Sequence, residues 1–268
     1  MSAEKFPIGE LISVIIPCYN EAQNIEQTLK EIYKYFDKFV PNYEVIVVVE
    51  KSTDNTLEVI NSSKNQKTIV LENERKFGKG YSLRRGIYFA KGQYILTCDA
   101  DLPVDIKKYF PSMLELLRKD EKVAAVFATA LAIKTCRRER GFVRSVVSLI
   151  FFVLRQLFLQ FPVSDTQLGF KLFRADVAKK CCQKVNENGF LFDLILTDLM
   201  LNAGYQIEEI NVKVVERKIK SSVSVGEIIK TTCKFCKYIL FTRSKLLRKC
   251  TDKVMINDKS KGVKASSI

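Results

Sequence analysis

Two carboxylates, Asp99 and Asp101, stand one residue apart at the end of the run "GQYILTCDAD". A charge at the end of a buried strand is costly unless a counter-charge or water accompanies it. A divalent ion, a buried Arg or Lys, or open water at a sheet edge would each meet that need. Carboxylates at this spacing suit Mg²⁺ or Mn²⁺, which usually keep waters and bridge diphosphate oxygens. Many surface turns have the same spacing, so the surrounding residues decide between these interpretations.

A basic segment, "NERKFGKGYSLRRG", comes shortly before the carboxylates and places Lys79 between two glycines, with Arg84 and Arg85 following. Glycines allow a ligand to approach the backbone closely, and a helix N-terminus attracts anions. The segment lacks the spacing of a P-loop, and no GxGxxG follows the first predicted strand, which disfavours a dinucleotide-binding enzyme. A metal site beside a basic cradle predicts a nucleotide-diphosphate ligand.

The elements that must position these residues follow from the hydrophobic pattern of the first hundred residues. Apolar runs predict buried strands in "LISVIIPCYN", "YEVIVVVE", "KTIVLEN" and "GQYILTCDAD", and amphipathic spacing predicts helices between them. This alternation predicts an α/β fold with a mostly parallel sheet flanked by helices. Ligands of such sheets bind at the carboxyl ends of the strands. We therefore expect five residues to gather along one edge: Asn20, Glu21, Glu50, Asn73 and Asp99.

The second half of the chain is less regular. A helix is predicted in "IKKYFPSMLELLRKD" and a strand in "KVAAVFATALA", and the apolar stretch "GFVRSVVSLIFFVLRQLFLQFPV" follows. Arg144 and Arg155 interrupt this stretch, and its longest uncharged run, residues 145–154, is too short to span a bilayer. It is either a buried core helix or a helix that lies in the membrane interface.

The charge of the chain is uneven. The formal net charge is +14, and residues 213–268 hold 15 Lys and Arg against 4 Asp and Glu. Such a basic region predicts an anionic partner: a phosphate-rich substrate, a membrane surface or nucleic acid. Residues 227–249 have the pattern of a basic amphipathic helix, which could rest on anionic headgroups. Nucleic acid is disfavoured, because the aromatic residues follow core spacing instead of interleaving with the basic ones.

The chain has eight cysteines and no histidine, and the absence of histidine excludes a Cys/His zinc site. We expect reduced thiols in an intracellular protein. The N-terminal residues are typical of the start of a domain and not of a signal peptide.

Four segments occur in an order that adds a family resemblance: "VIIPCYNE", "VVVEKSTDNT", "FGKGYSLRRGIYFAKGQYILTCDADL" and "VSDTQLGFKLFR". Together they resemble the inverting nucleotide-sugar glycosyltransferases of GT-A fold. Within that group they resemble the dolichyl-phosphate glucosyltransferases and dolichyl-phosphate mannose synthases. We expect a GT-A domain over residues 1–225, a basic membrane-surface helix over 226–250 and a disordered tail over 251–268.

The resemblance implies roles for individual residues. Pro17, Tyr19 and Glu21 would line the nucleoside pocket, and Glu50 would contact the base. The other implied positions are Lys79 and Arg84 near the donor diphosphate, Asp99 and Asp101 on Mg²⁺ or Mn²⁺, Asp165 and Gln167 beside the sugar and acceptor, and Arg144 on the acceptor phosphate, supported by Arg137, Arg138 and Arg140. The expected catalytic set is Asp101, Asp165, Gln167 and Arg144.

The chain also departs from the family pattern. Val49 stands where the family commonly has the first acid of an Asp pair, which leaves the nucleotide preference open. Asp193 matches the first acid of the family's "FDxE" motif, whereas Ile195 replaces the second. Pro103 stands where mannose synthases often have Gln, and the "DTQ" segment favours the glucosyltransferase branch.

The expected activity is the transfer of glucose from UDP-glucose to dolichyl or polyprenyl phosphate with inversion, on the cytoplasmic face of a membrane by a peripheral protein. A lipid phosphate is already ionised near neutral pH, so a chain without histidine needs no strong general base. Three alternatives stay open: a mannose synthase that uses GDP-mannose, a transferase to a hydroxyl acceptor with Asp165 as base, and a non-enzymatic binder.

Overall fold

A computed structural model describes residues 9–130, 163–214, 226 and 230–240. The strands are β1 (Ile12–Cys18), β2 (Tyr43–Val49), β3 (Thr68–Glu72), β4 (Tyr94–Thr97), β5 (Val123–Ala130), β6 (Lys171–Arg174) and β7 (Gln206–Val212). The helices between them are α1 (Ile25–Phe39), α2 (Thr56–Ser63), α3 (Lys79–Phe89), α4 (Ile106–Lys119), α5 (Ala175–Cys182) and α6 (Phe192–Asn202). The predicted alternation of strands and helices is confirmed from β1 through α4 and β5.

The strands form one sheet of seven in the order β3-β2-β1-β4-β6-β5-β7. The pairs β1–β2, β2–β3, β1–β4 and β5–β7 are parallel, whereas β6 is antiparallel to both of its neighbours. The predicted mostly parallel α/β sheet is therefore confirmed. Sequence reasoning did not predict β6, β7, α5 or α6.

The core lies on both faces of the sheet, because successive side chains of a strand point to opposite faces. In β1, Val14 and Ile16 pack with residues of α1 and α4 on one face. Ile15 packs on the other face with residues of α3, α5 and α6. All seven residues of β2 are buried, as expected for a strand that is covered on both sides.

The described residues divide into two compact units, with 9–130 and 163–214 in the first and 226 and 230–240 in the second. In the second unit residues 230–240 are helical, Phe235 and Ile239 are buried, and Lys234 and Lys237 are exposed. Across the described ranges, no helix is long and apolar enough to cross a bilayer. The predicted domain boundaries and the disordered tail stay predictions.

Candidate active site

The carboxyl edge of the sheet carries the loops that follow β1, β2, β3 and β4. The backbone links these loops in order: Glu50 N donates to the Cys18 carbonyl at 2.9 Å, and Asn73 N donates to the Val49 carbonyl at 2.8 Å. Cys98 N donates to the carbonyl of Ile15 at 3.0 Å. The strand-end residues named above therefore lie along one edge.

Asn20 fastens the loop after β1 to the loop after β2. Its φ of 56° lies in the left-handed region, which Asn tolerates better than most residues. Its Oδ1 accepts from Thr53 N at 2.8 Å, and its Nδ2 donates to Thr53 Oγ1 at 3.0 Å. Glu21 N donates to Thr56 Oγ1 at 2.8 Å. These bonds fix the backbone at Asn20 and Glu21, directly after Tyr19.

Asp99 lies against a cation at the start of α3. Lys79 Nζ is 2.5 Å from Asp99 Oδ1, and both side chains are largely shielded from solvent. Burial alone would lower the pKa of Lys79, but the charges of Asp99, Asp193 and Asp101 outweigh it and hold that pKa above its ordinary value. Lys79 therefore remains a cation through the neutral pH range.

The carboxylates of this edge crowd one another. Burial raises the pKa of Glu21, and the nearby charges of Asp101, Asp99 and Asp54 raise it further, although a hydrogen bond from Asn24 opposes the shift. Mutual repulsion of this kind is relieved by a bound cation. No group of three or more His, Cys, Asp or Glu side chains in the described ranges could by itself enclose a metal. Asp99 and Asp101 would suit a hard cation, which would need its remaining ligands from outside the protein.

The turn that carries these carboxylates is tightly held. Leu102 N donates to the Asp99 carbonyl at 2.9 Å, and Thr28 Oγ1 of α1 donates to the Ala100 carbonyl at 2.7 Å. Leu102 is buried and has a φ of 38°, an unusual value for a residue with a bulky side chain. Backbone strain of this kind is common at functional turns.

The loop of residues 163–170 contains the "DTQ" segment and lies directly against Asp99. A Cβ atom at Gly169 would overlap the Asp99 carboxylate, so only glycine permits this approach. Asp165 Oδ1 accepts from Gln167 N at 2.6 Å and from Leu168 N at 3.4 Å. Glu209 of β7 accepts from Ser164 N at 2.7 Å. The structure therefore brings Asp165 and Gln167 into one ordered loop beside Asp99.

The side chains of Glu50 and Arg84 form hydrogen bonds with other residues of the protein. Glu50 is buried, and its Oε1 accepts from Gly78 N at 2.6 Å and from Ser82 Oγ at 3.0 Å, which joins β2 to the start of α3. The Arg84 guanidinium donates to the Val185 carbonyl at 3.0 Å and to Asn188 Oδ1 at 2.7 Å. Arg84 thereby holds α3 against the loop before α6. The predicted contacts of Glu50 with the base and of Arg84 with the diphosphate stay predictions.

A cleft of about 420 Å³ opens at the carboxyl ends of β2 and β3, beside Glu50 and Asn73. This volume is in the range of small-molecule pockets. The described residues that line it include Glu50, Asp54, Glu58, Glu72 and Glu74, and among them Lys51 is the one cation. Such walls suit a neutral group with N–H donors, such as a nucleobase, better than a phosphate.

Two predicted nucleoside contacts lie at the end of β1 and just after it. Pro17 pairs with Val48 within the sheet. The ring of Tyr19 faces Lys76, whose Nζ is 4.0 Å from the ring centroid. The predicted acceptor arginines, Arg137, Arg138, Arg140 and Arg144, and the apolar stretch after them lie outside the described residues.

Sequence reasoning missed two features of the site. The first is the contact between Lys79 and Asp99, which pattern alone does not give because 20 residues separate them. The second is the buried ion pair between Lys171 and Asp193. The resemblance had pointed to Asp193, but nothing in the sequence indicated its partner.

The fold is that of the GT-A class of glycosyltransferases. Residues 13–182 match the family model described as Glycosyl transferase family 2, and the chain belongs to that family. The predicted family, fold and enzyme class, a glycosyltransferase, are therefore confirmed.

Named relatives narrow the comparison. The chain is 32% identical over 231 residues to the dolichyl-phosphate beta-glucosyltransferase of Drosophila melanogaster, covering 79% of this chain and 69% of that one. It is 27% identical over 205 residues to the glycosyltransferase AglD of Haloferax volcanii. That match covers 75% of this chain but only 32% of AglD, so the chain spans about a third of that relative.

Among solved structures, the chain is similar to a glucosyl-3-phosphoglycerate synthase of Mycobacterium tuberculosis, which was crystallised with Mn²⁺, UDP and phosphoglyceric acid. The TM-score is 0.64 at 21% identity, over 85% of this chain and 79% of that one. At this identity the likeness establishes the shared fold alone.

Proposed function

We propose that the protein transfers glucose from UDP-glucose to a polyprenyl phosphate such as dolichyl phosphate, with inversion at the anomeric carbon. The observation that carries the proposal is the convergence on Asp99 of two chemically different elements. Lys79 lies 2.5 Å from its carboxylate on one side, and the "DTQ" loop packs against it through Gly169 on the other. The similarity to a dolichyl-phosphate beta-glucosyltransferase supports glucose as the sugar and dolichyl phosphate as the acceptor.

In the proposed complex the acidic cleft beside Glu50 receives the base, together with Pro17, Tyr19 and Glu21. Asp99 and Asp101 hold Mg²⁺ or Mn²⁺, which neutralises negative charge on the donor diphosphate when bound. Lys79, and Arg84 after release from its carbonyl partners, provide further positive charge at the leaving group.

The reaction exchanges one C–O bond for another. An ionised oxygen of the lipid phosphate attacks the anomeric carbon of glucose from the side opposite the diphosphate. The bond between that carbon and the diphosphate oxygen breaks, and its electron pair leaves with UDP. No proton is transferred, so a general base is unnecessary.

Asp165 supports a phosphate acceptor over a hydroxyl acceptor. Its Oδ1 already accepts from Gln167 N at 2.6 Å, which suits a residue that orders the loop. A hydroxyl acceptor would need a carboxylate that can take a proton from the acceptor. We assign Gln167, which is exposed in the same loop, to hydrogen-bond the sugar.

The acceptor and the membrane are assigned to the basic parts of the chain. We place the acceptor phosphate at Arg144 and the protein on the cytoplasmic face of a membrane, peripherally bound. The support is electrostatic: residues 213–268 hold 15 Lys and Arg against 4 Asp and Glu. Each Lys or Arg near an anionic surface adds on the order of 1 kcal/mol.

The test is the release of nucleoside diphosphate by the purified protein with Mg²⁺ or Mn²⁺. The donors UDP-glucose, GDP-mannose, UDP-N-acetylglucosamine and UDP-galactose are each offered alone, with a polyprenyl phosphate and with sugar acceptors. The proposal predicts release from UDP-glucose that needs the lipid phosphate. Asp101→Ala should abolish it, whereas Asp105→Asn keeps the N-cap of α4 and should not. Release from GDP-mannose but not from UDP-glucose would overturn the assignment of the donor. Release with sugar acceptors but not with the lipid phosphate would overturn the assignment of the acceptor.

A further inference from the structure

Lys171 is a charged residue in the interior of the sheet. It lies in β6, is only 1% exposed, and its Nζ contacts Asp193 Oδ1 of α6. The same ammonium donates to the Thr166 carbonyl at 2.8 Å and lies 5.2 Å from the centroid of the Phe127 ring. A buried ion pair is often no more stabilising than apolar residues of the same size. Fold stability alone therefore does not explain why charges occupy this position.

The bond to Thr166 connects the ion pair to the loop of residues 163–170. Lys171 holds the loop at Thr166, in the middle of the "DTQ" segment. Thr97, the last residue of β4, holds it near its other end through a bond from Oγ1 to the Gly169 carbonyl at 2.9 Å. Thr97 and Lys171 are register partners in neighbouring strands. The two bonds therefore hold the loop beside Asp99, which is two residues after Thr97 in the sequence.

The ion pair also lies within electrostatic reach of Lys79. The charge of Asp193 acts on Lys79, whose ammonium contacts Asp99. The Asp193 carboxylate thus balances the charge of Lys171, which holds the loop on the acceptor side. The same carboxylate acts on the charge of Lys79, on the donor side. Ile195, which replaces the second acid of the motif, packs against the apolar core.

We propose that Lys171 and Asp193 are positioning residues, which set the "DTQ" loop against Asp99 without touching substrate. The inference rests on the proposed function for its kinetic consequence, but its structural consequence is independent of activity. The pair fixes the position of the Thr166 carbonyl. This in turn fixes the turn that the Asp165 side chain closes. Gln167 and the acceptor side of the site are thereby held in the geometry of transfer.

The test compares two buried polar networks at opposite ends of the strands. The double variant Lys171→Met, Asp193→Leu removes both charges and leaves neither partner unpaired. Glu44→Gln is the matched control, because Glu44 is also buried and accepts from Ser13 Oγ and Lys91 N, both at 2.6 Å, near the start of β2. Amide exchange in residues 163–170, the thermal midpoint, and kcat and KM for UDP-glucose are measured for each protein.

In the double variant we expect loop amides to exchange faster by about 10- to 100-fold, since a charge-assisted bond is lost. We expect kcat to fall on the order of 100-fold at an unchanged KM for the donor. Glu44→Gln should change neither loop exchange nor kcat. Wild-type exchange rates in the double variant would overturn the proposal. Equal changes in the double variant and in Glu44→Gln for every readout would also overturn it. The role of Lys171 and Asp193 would then be structural.

A third variant covers the case in which the double variant does not fold. Asp193→Asn keeps an oxygen acceptor for Lys171 and removes only the negative charge. Its loop exchange and kcat should shift in the same direction, and unchanged values of both would overturn the proposal. If wild-type protein releases no UDP, the proposed function fails, whereas loop exchange still tests the positioning role.

Discussion

Lys79 Nζ and Asp99 Oδ1 lie 2.5 Å apart, so the first carboxylate of the proposed metal-binding pair is already balanced by a cation of the protein. A divalent ion that binds Asp99 must compete with this ammonium. The diphosphate of the donor offers Lys79 an alternative anion. Donor and metal should therefore bind cooperatively. A diphosphate that draws Lys79 away frees Asp99 for the metal, and a metal on Asp99 frees Lys79 for the diphosphate.

Replacing Lys79 by Met tests this coupling. Without nucleotide the variant should bind Mn²⁺ more tightly than the wild type, because the competing ammonium is gone. Its kcat/KM for UDP-glucose should fall about 10- to 100-fold with the loss of a charge-assisted bond. Mn²⁺ titration with and without UDP measures the first effect, and UDP release measures the second.

Lys91→Met is the control, because Lys91 is an exposed lysine near the amino ends of the strands. It should change neither quantity. Weaker binding of Mn²⁺ to Lys79→Met in the absence of nucleotide would contradict the competition.

Gly169→Ala tests the close approach of the "DTQ" loop to Asp99. The added methyl would overlap the Asp99 carboxylate, so either the loop or the carboxylate must move. A displacement of about 1 Å at a reacting site can cost on the order of 100-fold in rate. We expect the rate of UDP release to fall by that factor. Binding of UDP in the absence of metal should be unchanged.

Gly189→Ala is the matched control, because a Cβ there meets only the Glu187 Oε1 atom, at 3.0 Å. That side-chain end can move, so activity should be near wild type. Equal activity of Gly169→Ala and wild type would show that the contact with Asp99 is not needed.

The crowding around Glu21 predicts a pH dependence of stability. Its pKa is raised from the ordinary 4.5, first by burial and then by neighbouring carboxylates. The folded state therefore binds this proton more tightly than the unfolded state does. The resulting stabilisation is complete below the ordinary value and is lost as the pH rises through the raised pKa. Ionised Glu21 thus opposes folding at neutral pH.

Glu21→Gln should accordingly raise the thermal midpoint at pH 7 in the absence of metal, and the gain should shrink as the pH falls through the raised pKa and be lost below 4.5. Thermal melts between pH 4 and 8 measure it. Mn²⁺ with UDP should reduce the gain, because the cation relieves the same repulsion. A variant that is less stable than wild type at pH 7 and equal to it at low pH would contradict the sign.

The buried thiol next to Asp99 should be unreactive. Burial raises the pKa of Cys98, and the charges of Asp99 and Asp101 raise it further. Since the thiolate is the reactive form, Cys98 should be alkylated far more slowly than the exposed Cys233. Mass spectrometry after timed iodoacetamide treatment compares the two in one sample. Similar rates at both positions would contradict the described environment of Cys98.

The sequence predicted the first four strands and their edge well, because their apolar β-branched runs end in polar residues. It did not predict β6, which is four residues long and contains Lys171. A charged residue in so short a run resembles a loop until its partner, Asp193, is known. It also missed β7, "QIEEINV", whose acids are tolerated because β7 is an edge strand.

Side-chain partners were harder to predict than positions. The spacing of Asp99 and Asp101 placed the carboxylates, but the cation on Asp99 depends on how α3 packs against β1 and β2. Arg84 shows the same limit: the sequence placed it one turn after Lys79, whereas its guanidinium bonds to Val185 and Asn188 depend on the loop before α6. Such contacts arise from tertiary packing, which local patterns do not encode.

The most direct test of the account follows the sugar itself. Protein with Mn²⁺, a polyprenyl phosphate and UDP-glucose labelled in the glucose is extracted with organic solvent, and the label in the lipid phase is measured. The account predicts a lipid-soluble product with glucose in the β-configuration, made by wild type and not by Asp101→Ala. Label that stays in the aqueous phase while UDP is released, or equal transfer by Asp101→Ala, would contradict it.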